Sequence, residues 1–179
     1  MIVTLLANGF EEIEALTPID ILRRAGLKVV SCGISGEVIT GSHGIKVHAD
    51  LLPEEVDPCE VDMLILPGGM PGATNLDSHP MTDTLINAVI KNGGRIAAIC
   101  AAPLVLGRRG LLNEKRATCY PGFEDELKGA NVTGEGVVTD GNITTAKGMG
   151  VALEFAKELV RLTLGEQKAK EISAAIMEK

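Results

Sequence analysis

The chain has 179 residues, with 17 basic and 24 acidic side chains, a net charge of −7 and 45% apolar residues. This composition predicts one globular domain, residues 1–179, rather than a disordered chain. Because Lys and Arg form no basic stripe, we expect no nucleic-acid partner. No apolar run approaches the roughly 20 residues of a bilayer span, and the N-terminal residues lack the pattern of a signal peptide. We therefore expect a cytoplasmic protein with no membrane partner.

Aromatic side chains are scarce, with one Tyr, three Phe and no Trp. Apolar burial must then come from Ala, Val, Ile and Leu, which favours a parallel α/β core over an aromatic-anchored β-sandwich. The spacing of the cysteines favours free thiols over a disulfide framework, because it contains no CxxC motif. The cysteines are Cys32, Cys59, Cys100 and Cys119.

Apolar β-branched runs alternate with helical patterns along the chain. In chain order they predict a strand at 2–6, a helix at 11–25 that ends at Gly26, a strand at 27–34, a hairpin at 37–48 at a sheet edge, a strand at 62–67, a helix at 79–92, a strand at 95–100, a short helix within 101–110, a hairpin around Asp140-Gly141, and helices at about 150–163 and 166–177. Inside the first helix, Pro18 predicts a kink or a tolerated missing hydrogen bond.

This order of elements predicts an α/β, flavodoxin-like, doubly wound sheet with helices on both faces, mostly parallel and with an edge hairpin. In such folds the ligand crevice lies at the carboxyl ends of the strands. Three segments therefore become candidates for the site, namely residues 7–9, 67–69 and 100–102.

Cys100 ends a predicted buried strand and directly precedes a predicted helix. A strand-to-helix elbow of this kind exposes a nucleophile at the top of a sheet, where amides at the helix start favour a thiolate. A buried core cysteine is the alternative, since free cysteine is among the most buried residue types. The pattern of residues leaves both interpretations open.

Gly68 and Gly69 close the neighbouring strand at 62–67. Glycine at this place lets backbone N–H groups approach a bound carbonyl oxygen, as an oxyanion site requires. A plain turn after the strand explains the same residues equally well.

Three glutamates, Glu11, Glu12 and Glu14, open the first predicted helix. Carboxylates are favoured there by the helix dipole, and we expect Glu11 and Glu12 to be solvated. Glu14 is placed differently because apolar residues flank it and it lies one turn in from the strand end. A buried carboxyl beside a thiol holds its proton and can donate a hydrogen bond or relay protons.

The three histidines, His43, His48 and His79, lie in the first predicted hairpin and at a helix entrance. We expect surface roles for them and predict no metal site.

Three segments, ANGFEEIEALTPIDILRRAG, LPGGMPGATNL and AAICAAP, occur in an order and spacing that resembles the ThiJ/PfpI superfamily, and most closely its deglycase branch. The resemblance runs over essentially the whole chain and includes Gly148-Met149-Gly150 before the last long helix. It implies a flavodoxin-like, class I glutamine amidotransferase-like three-layer sandwich, a homodimer, and a reactive cysteine that works without a cofactor.

By position, the resemblance makes Cys100 the nucleophile and Glu14 the acid that hydrogen-bonds it, while Gly69 and Ala101 supply the oxyanion amides. The resemblance also implies that the pocket is formed by Gly68, Tyr120, Pro121, Phe123 and Arg24. A solvated charge on the helix explains Arg24 equally well.

Two departures from the superfamily pattern bear on the mechanism. Tyr120 precedes Pro121 where many relatives have a histidine, which puts a Cys-His dyad in doubt. Ala101 follows the cysteine where peptidase-like members have histidine, so peptidase activity is disfavoured.

Two functions from different classes fit these residues. The first is a thiol enzyme of glyoxalase or deglycase type, in which Cys100 attacks a small carbonyl substrate such as methylglyoxal, or an early glycation adduct, and Glu14 relays the proton. The second is an oxidative-stress sensor or chaperone that works through oxidation of Cys100 to a sulfinic acid beside Glu14. A catalytically silent member of the fold is a third alternative, because fold does not determine chemistry.

Overall fold

A six-stranded sheet lies at the centre of the molecule, and the computed structural model describes residues 1–178. The strands are β1 (Ile2–Leu6), β2 (Val29–Gly33), β3 (Val38–Thr40), β4 (Lys46–His48), β5 (Met63–Leu66), β6 (Arg95–Ile99), β7 (Arg116–Ala117), β8 (Asn131–Val132), β9 (Val137–Asp140) and β10 (Ile143–Ala146). The central sheet has the order β2-β1-β5-β6-β10-β9, with parallel pairing throughout except between β10 and the edge strand β9.

Helices cover both faces of this sheet. They are α1 (Glu12–Arg24), α2 (Gly72–Ser78), α3 (Pro80–Lys91), α4 (Pro103–Arg108), α5 (Ala152–Leu164) and α6 (Glu166–Ala175). Side chains of α2, α3 and α4 pack in one apolar core, and those of α1, α5 and α6 pack in another. Among the described residues, no helix combines the length and the apolarity that a membrane span needs.

Most residues of the parallel strands are apolar on both faces, as a sheet buried between two helical layers requires, and polar exceptions such as Thr4 and Ser31 are also buried. In β1, Val3 and Leu5 face the core of α2, α3 and α4, while Ile2 faces the opposite core. The β5 residues Leu64 and Ile65 divide between the two cores in the same way. These contacts confirm the predicted flavodoxin-like three-layer arrangement.

Several predicted elements occur where the sequence placed them. The strand at residues 2–6 is β1, and Gly26 follows α1 with a φ of +89° that suits glycine. Helix α1 continues through Pro18, although proline lacks the N–H that would bond to the carbonyl of Glu14 four residues earlier. The helix therefore tolerates the missing bond without ending at Pro18.

The prediction that the hairpin at 37–48 lies at the edge of the central sheet is wrong. Strands β3 and β4 form a separate two-stranded sheet, and the antiparallel edge of the central sheet comes from the second hairpin, β9 and β10. Helix α2 and the short β7–β8 pair were not predicted. Each is too short to show a period of hydrophobic residues.

Candidate active site

Cys100 lies at the turn that follows β6, at the carboxyl edge of the sheet. Its φ of +65° is in the left-handed region, which non-glycine residues adopt rarely and which concentrates at functional sites. Two hydrogen bonds hold this backbone: its N–H donates to the carbonyl of Ala146 at 2.8 Å, and its carbonyl accepts from the Tyr120 N–H at 2.8 Å. The sharp turn leaves the thiol side chain partly exposed at the strand end.

Glu14 reaches the same place from the first turn of α1. Only 1% of its surface is exposed. Its Oε2 accepts a hydrogen bond of 3.0 Å from the Gly68 N–H, whereas Oε1 is buried without a partner of good hydrogen-bond geometry. The residue is oriented by Glu11, whose side chain caps the helix by accepting from the Glu14 N–H at 2.8 Å. A buried oxygen without a partner is available to bind a proton or a substrate atom.

The Glu14 carboxyl and the Cys100 thiol are close enough to share a hydrogen bond and to alter each other's ionisation. Burial raises the pKa of Glu14 from 4.5 to about 7, although hydrogen bonds from Cys100 and from the amides of Gly68 and Met149 oppose this rise. Burial, together with the adjacent Glu14 charge, also raises the pKa of the Cys100 thiol. Because the pKa of the thiol is raised and that of Glu14 is about 7, the thiol keeps its proton near neutral pH while Glu14 exists in both forms.

The backbone amides of Gly69 and Ala101 lie near the Cys100 thiol and act on its ionisation. Both oppose the rise in the thiol pKa, as donors to a developing negative charge do. Gly69 has a φ of +85°, and a Cβ there would lie 2.3 Å from the Glu11 nitrogen. The amides come from the turns after β5 and β6, since α4 begins only at Pro103.

The remaining predicted pocket residues divide into two groups. Gly68 contacts the Cys100–Glu14 pair directly, while Tyr120 and Pro121 line an open groove of about 370 Å³ beside it. Phe123 is half-buried and closes the turn through a 3.1 Å hydrogen bond from its N–H to the Tyr120 carbonyl.

The structure does not bring Arg24 to this site. It occupies the last turn of α1, ten residues after Glu14, or about 15 Å along the helix axis. Its exposed guanidinium pairs with Asp20 at 2.6 Å, one helical turn away. Arg24 is therefore a solvated charge on the helix, which is the alternative that the sequence also allowed.

The groove also has residues that the sequence analysis did not assign to a site. Lys147, Gly148, Met149, Gly150 and Val151 line it together with Tyr120 and Pro121. The sequence did contain a signal for these groove residues. The Gly148-Met149-Gly150 segment follows the last parallel strand, and the ends of such strands form the crevice of this fold.

The expectation of a solvated Glu12 is wrong. Only 3% of Glu12 is exposed, because the turn between β3 and β4 covers it. Its Oε1 accepts the His43 N–H at 2.8 Å, and its Oε2 lies 2.9 Å from His43 Nδ1. Glu11, Glu12 and His43 place possible ligand atoms within 4.8 Å of one another. The Glu12 oxygens are already occupied by donors of the hairpin, so the cluster has a structural explanation.

A comparison of the sequence with protein-family models identifies the family of this chain. The model described as the DJ-1/PfpI family matches residues 1–162. The chain belongs to the DJ-1/PfpI family. This membership agrees with the resemblance to the ThiJ/PfpI superfamily found in the sequence.

Three members of the DJ-1/PfpI family illustrate the range of similarity. Protein DJ-1 homolog B from Arabidopsis thaliana is 38% identical over 96% of this chain, which spans only 40% of that longer protein. The glutathione-independent glyoxalase DJR-1.2 from Caenorhabditis elegans is 35% identical over 90% of this chain and 87% of its own length. A protein named as a deglycase from Pyrococcus abyssi is 34% identical over 90% of this chain and 98% of its own length.

A solved structure of the DJ-1/PfpI family has the same architecture. The DJ-1 of Toxoplasma gondii, described as oxidized, superposes with a TM-score of 0.93 at 35% sequence identity, over 98% of this chain and 97% of that one.

Proposed function

We propose that this protein is a cysteine-dependent enzyme that acts on small reactive dicarbonyl compounds, as a glyoxalase or as a deglycase of early glycation adducts. The observation that carries the proposal is the buried carboxyl of Glu14 beside the Cys100 thiol, with the backbone amides of Gly69 and Ala101 near the same thiol. The names of the relatives from C. elegans and P. abyssi, a glyoxalase and a deglycase, support it.

The first step on methylglyoxal is attack by Cys100 on the aldehyde carbon. A sulfur–carbon bond forms, the carbonyl electron pair moves to oxygen, and the thiol proton passes to the Glu14 carboxylate. A base with a pKa of about 7 suits this transfer, because it accepts and returns a proton with similar ease near neutral pH. The amides of Gly69 and Ala101 bind the oxyanion as it forms. Glu14 then protonates it to give a hemithioacetal.

The second step moves a proton between the two carbons of the substrate. Glu14 removes the proton from the former aldehyde carbon and delivers it to the neighbouring carbon, while the hydroxyl proton of the hemithioacetal passes to the former ketone oxygen. The first carbon is thereby oxidised to a thioester carbonyl, and the second is reduced to an alcohol. The product is a lactoyl thioester on Cys100. Water hydrolyses this thioester, which releases lactate and regenerates the thiol. On a hemiaminal formed from an amine and the dicarbonyl, the sulfur–carbon bond would form as the carbon–nitrogen bond breaks, and the amine would leave with the thiol proton, relayed by Glu14. The hemithioacetal that remains would follow the second step, which completes the deglycase reaction.

The test is lactate formation from methylglyoxal, followed by NMR, in the wild type and in Cys100→Ser. We expect the variant to lose the activity, because a serine hydroxyl is a far weaker nucleophile. Cys59→Ser is the matched control, since Cys59 is an exposed thiol outside the site and its replacement leaves the activity unchanged. Lactate formation by Cys100→Ser at the wild-type rate would contradict the proposal.

A second candidate function is a response to oxidation or a chaperone activity that oxidation controls. It is favoured by the partly exposed Cys100 and by the adjacent Glu14 carboxyl, which can donate a hydrogen bond to a sulfinate when protonated. The structure from T. gondii, described as oxidized, supports it. Peptide mass spectrometry after mild peroxide tests it: we expect two added oxygens at Cys100 first, and equal oxidation of the four cysteines would contradict it.

We also propose that the protein is a homodimer that associates through the exposed face of α1. Ile13 and Leu16 lie one turn apart on this helix, with 49% and 36% of their surfaces exposed. Large apolar side chains grouped on one surface are typical of an interface.

A further inference from the structure

We propose that the groove beside Tyr120 and Met149 is a specificity subsite that binds the uncharged, apolar substituent of an α-oxoaldehyde. The subsite rests on the proposed dicarbonyl activity and adds to it a class of substrate. Aryl and branched alkyl α-oxoaldehydes would be preferred to methylglyoxal, whose single methyl group leaves the groove empty.

The first supporting observation is the chemistry of the groove. It has a volume of about 370 Å³, and its side chains are mostly apolar, from Tyr120, Pro121, Met149 and Val151. Two residues at its rim are exposed to solvent, Tyr120 with 51% of its surface and Met149 with 50%. A pocket of this size accommodates one aromatic ring, and covering these two side chains would remove apolar surface from water.

The second observation is the connection between the groove and the reacting groups. Gly148 is buried between them, and a Cβ at this position would lie 3.3 Å from Cδ2 of Tyr120 and 3.9 Å from Oε1 of Glu14. Its φ of 161° is extended backbone that any residue adopts, so the backbone conformation does not require glycine. Glycine therefore places no side chain between the Tyr120 ring and the Glu14 carboxyl.

The third observation concerns charge. Among residues 1–178, Lys147 supplies the one formally charged side chain that lines the groove, and its Nζ lies 3.4 Å from the Gly134 carbonyl. An acidic substituent would therefore have one cation at the rim and no buried polar partner, whereas an aromatic substituent would contact the ring of Tyr120 and the thioether of Met149. Aromatic rings pack well on both groups.

The kinetic test compares kcat/KM for phenylglyoxal and for methylglyoxal. We expect the wild type to prefer phenylglyoxal by about tenfold, which is the discrimination that one small apolar contact usually supplies. Tyr120→Ala should lower this ratio by about tenfold, while Tyr120→Phe keeps the ring and should keep the ratio. Gly148→Val should lower the ratio as well, because its side chain would crowd the Tyr120 ring and the Glu14 carboxyl. An equal ratio in the wild type and in Tyr120→Ala would overturn the subsite.

A second measurement separates this subsite from the proposed function. Cys100 is alkylated with phenacyl bromide, iodoacetamide or iodoacetate, and peptide mapping follows Cys100 apart from the exposed Cys59. We expect Tyr120→Ala to slow the phenacyl reaction selectively. If the wild type converts neither aldehyde but this selectivity remains, the proposed function fails and the subsite stands. Faster reaction with iodoacetate than with both neutral reagents would overturn the subsite and indicate a preference for acids.

Discussion

Gly68 and Glu14 are joined by a hydrogen bond of 3.0 Å, from the Gly68 N–H to Oε2 of Glu14, between residues 54 positions apart in the chain. The same glycine also separates Glu14 from Cys100. A Cβ on Gly68 would lie 2.6 Å from the Cys100 Cβ and 2.6 Å from Glu14 Oε2, closer than atoms can pack. The absence of a side chain at Gly68 thus allows the thiol and the carboxyl to meet.

Gly68→Ala should therefore disturb both stability and the candidate site. We expect a loss of about 1–3 kcal/mol in the free energy of unfolding, because the added methyl group must displace packed atoms. Urea denaturation measures this loss. Gly150→Ala is a suitable control, since no atom lies within 4 Å of a Cβ at that position. If the two variants had equal free energies of unfolding, the close packing around Gly68 would not limit the size of the side chain at that position.

Glu14→Gln should slow the reaction and change its dependence on pH. In the wild type, kcat/KM should rise with pH as Glu14 loses its proton, with a midpoint near its pKa of about 7. Glutamine cannot accept the proton, so we expect a loss of about 10²–10⁴-fold in rate and no such rise. Glu14→Asp should restore part of the activity together with a pH-dependent rise. A variant with glutamine that retains the wild-type profile would exclude Glu14 as the base.

The raised pKa of Glu14 also predicts how stability depends on pH. The folded protein keeps a proton that the unfolded chain loses above pH 4.5, so the stability from Glu14 is full below pH 4.5 and is lost as the pH rises through about 7. The shift corresponds to about 3 kcal/mol. Relative to the wild type, Glu14→Gln should gain up to that amount between pH 5 and pH 8. Glu37→Gln, at an exposed position, should show no comparable gain.

The pair formed by Glu12 and His43 predicts a shifted histidine titration. The hydrogen bond and the charge of Glu12 raise the pKa of His43 above 6.5, so the pair contributes stability below that pH and loses it as the pH rises through the raised value. Burial opposes the ionisation of Glu12, yet hydrogen bonds from His43 and Ile45 lower its pKa below 4.5. NMR titration of Glu12→Gln should show a lower pKa for His43. An unchanged titration would contradict the pairing.

The proposed dimer surface predicts the effect of charge on α1. Replacing Ile13 and Leu16 together by lysine should give a protein with the monomer mass of 18.8 kDa in sedimentation equilibrium, whereas the wild type should have twice that mass. Ile90→Lys is the control, because Ile90 is also exposed but lies on α3. A monomeric wild type, or a dimeric double variant, would refute this surface.

Local patterns were sufficient to predict most of the central fold. The strand at residues 2–6 and the helix that ends before Gly26 follow from short-range preferences: apolar runs for strands, and a left-handed glycine to end a helix. The hairpin around Asp140-Gly141 follows in the same way, with Gly141 at a φ of +63°. These preferences act over a few residues, so a single sequence displays them.

The role of each glutamate in α1 could not be derived locally. Glu12 and Glu14 lie two residues apart at the start of one helix, and both are buried. The hairpin turn at His43 covers the first, and the turn at Gly68 binds the second. The helix dipole favours both carboxylates alike, so their different partners depend on segments that are distant in the chain.

The sequence by itself determined the scarcity of aromatic residues, the α/β class, and the resemblance that pointed to Cys100 and Glu14. Only the tertiary structure decided that Tyr120 lines an open groove with Met149, that Gly148 connects this groove to Glu14, and that Arg24 lies elsewhere. The physical reason is that burial and long-range packing decide which side chains meet, and a side chain's ionisation follows from that environment.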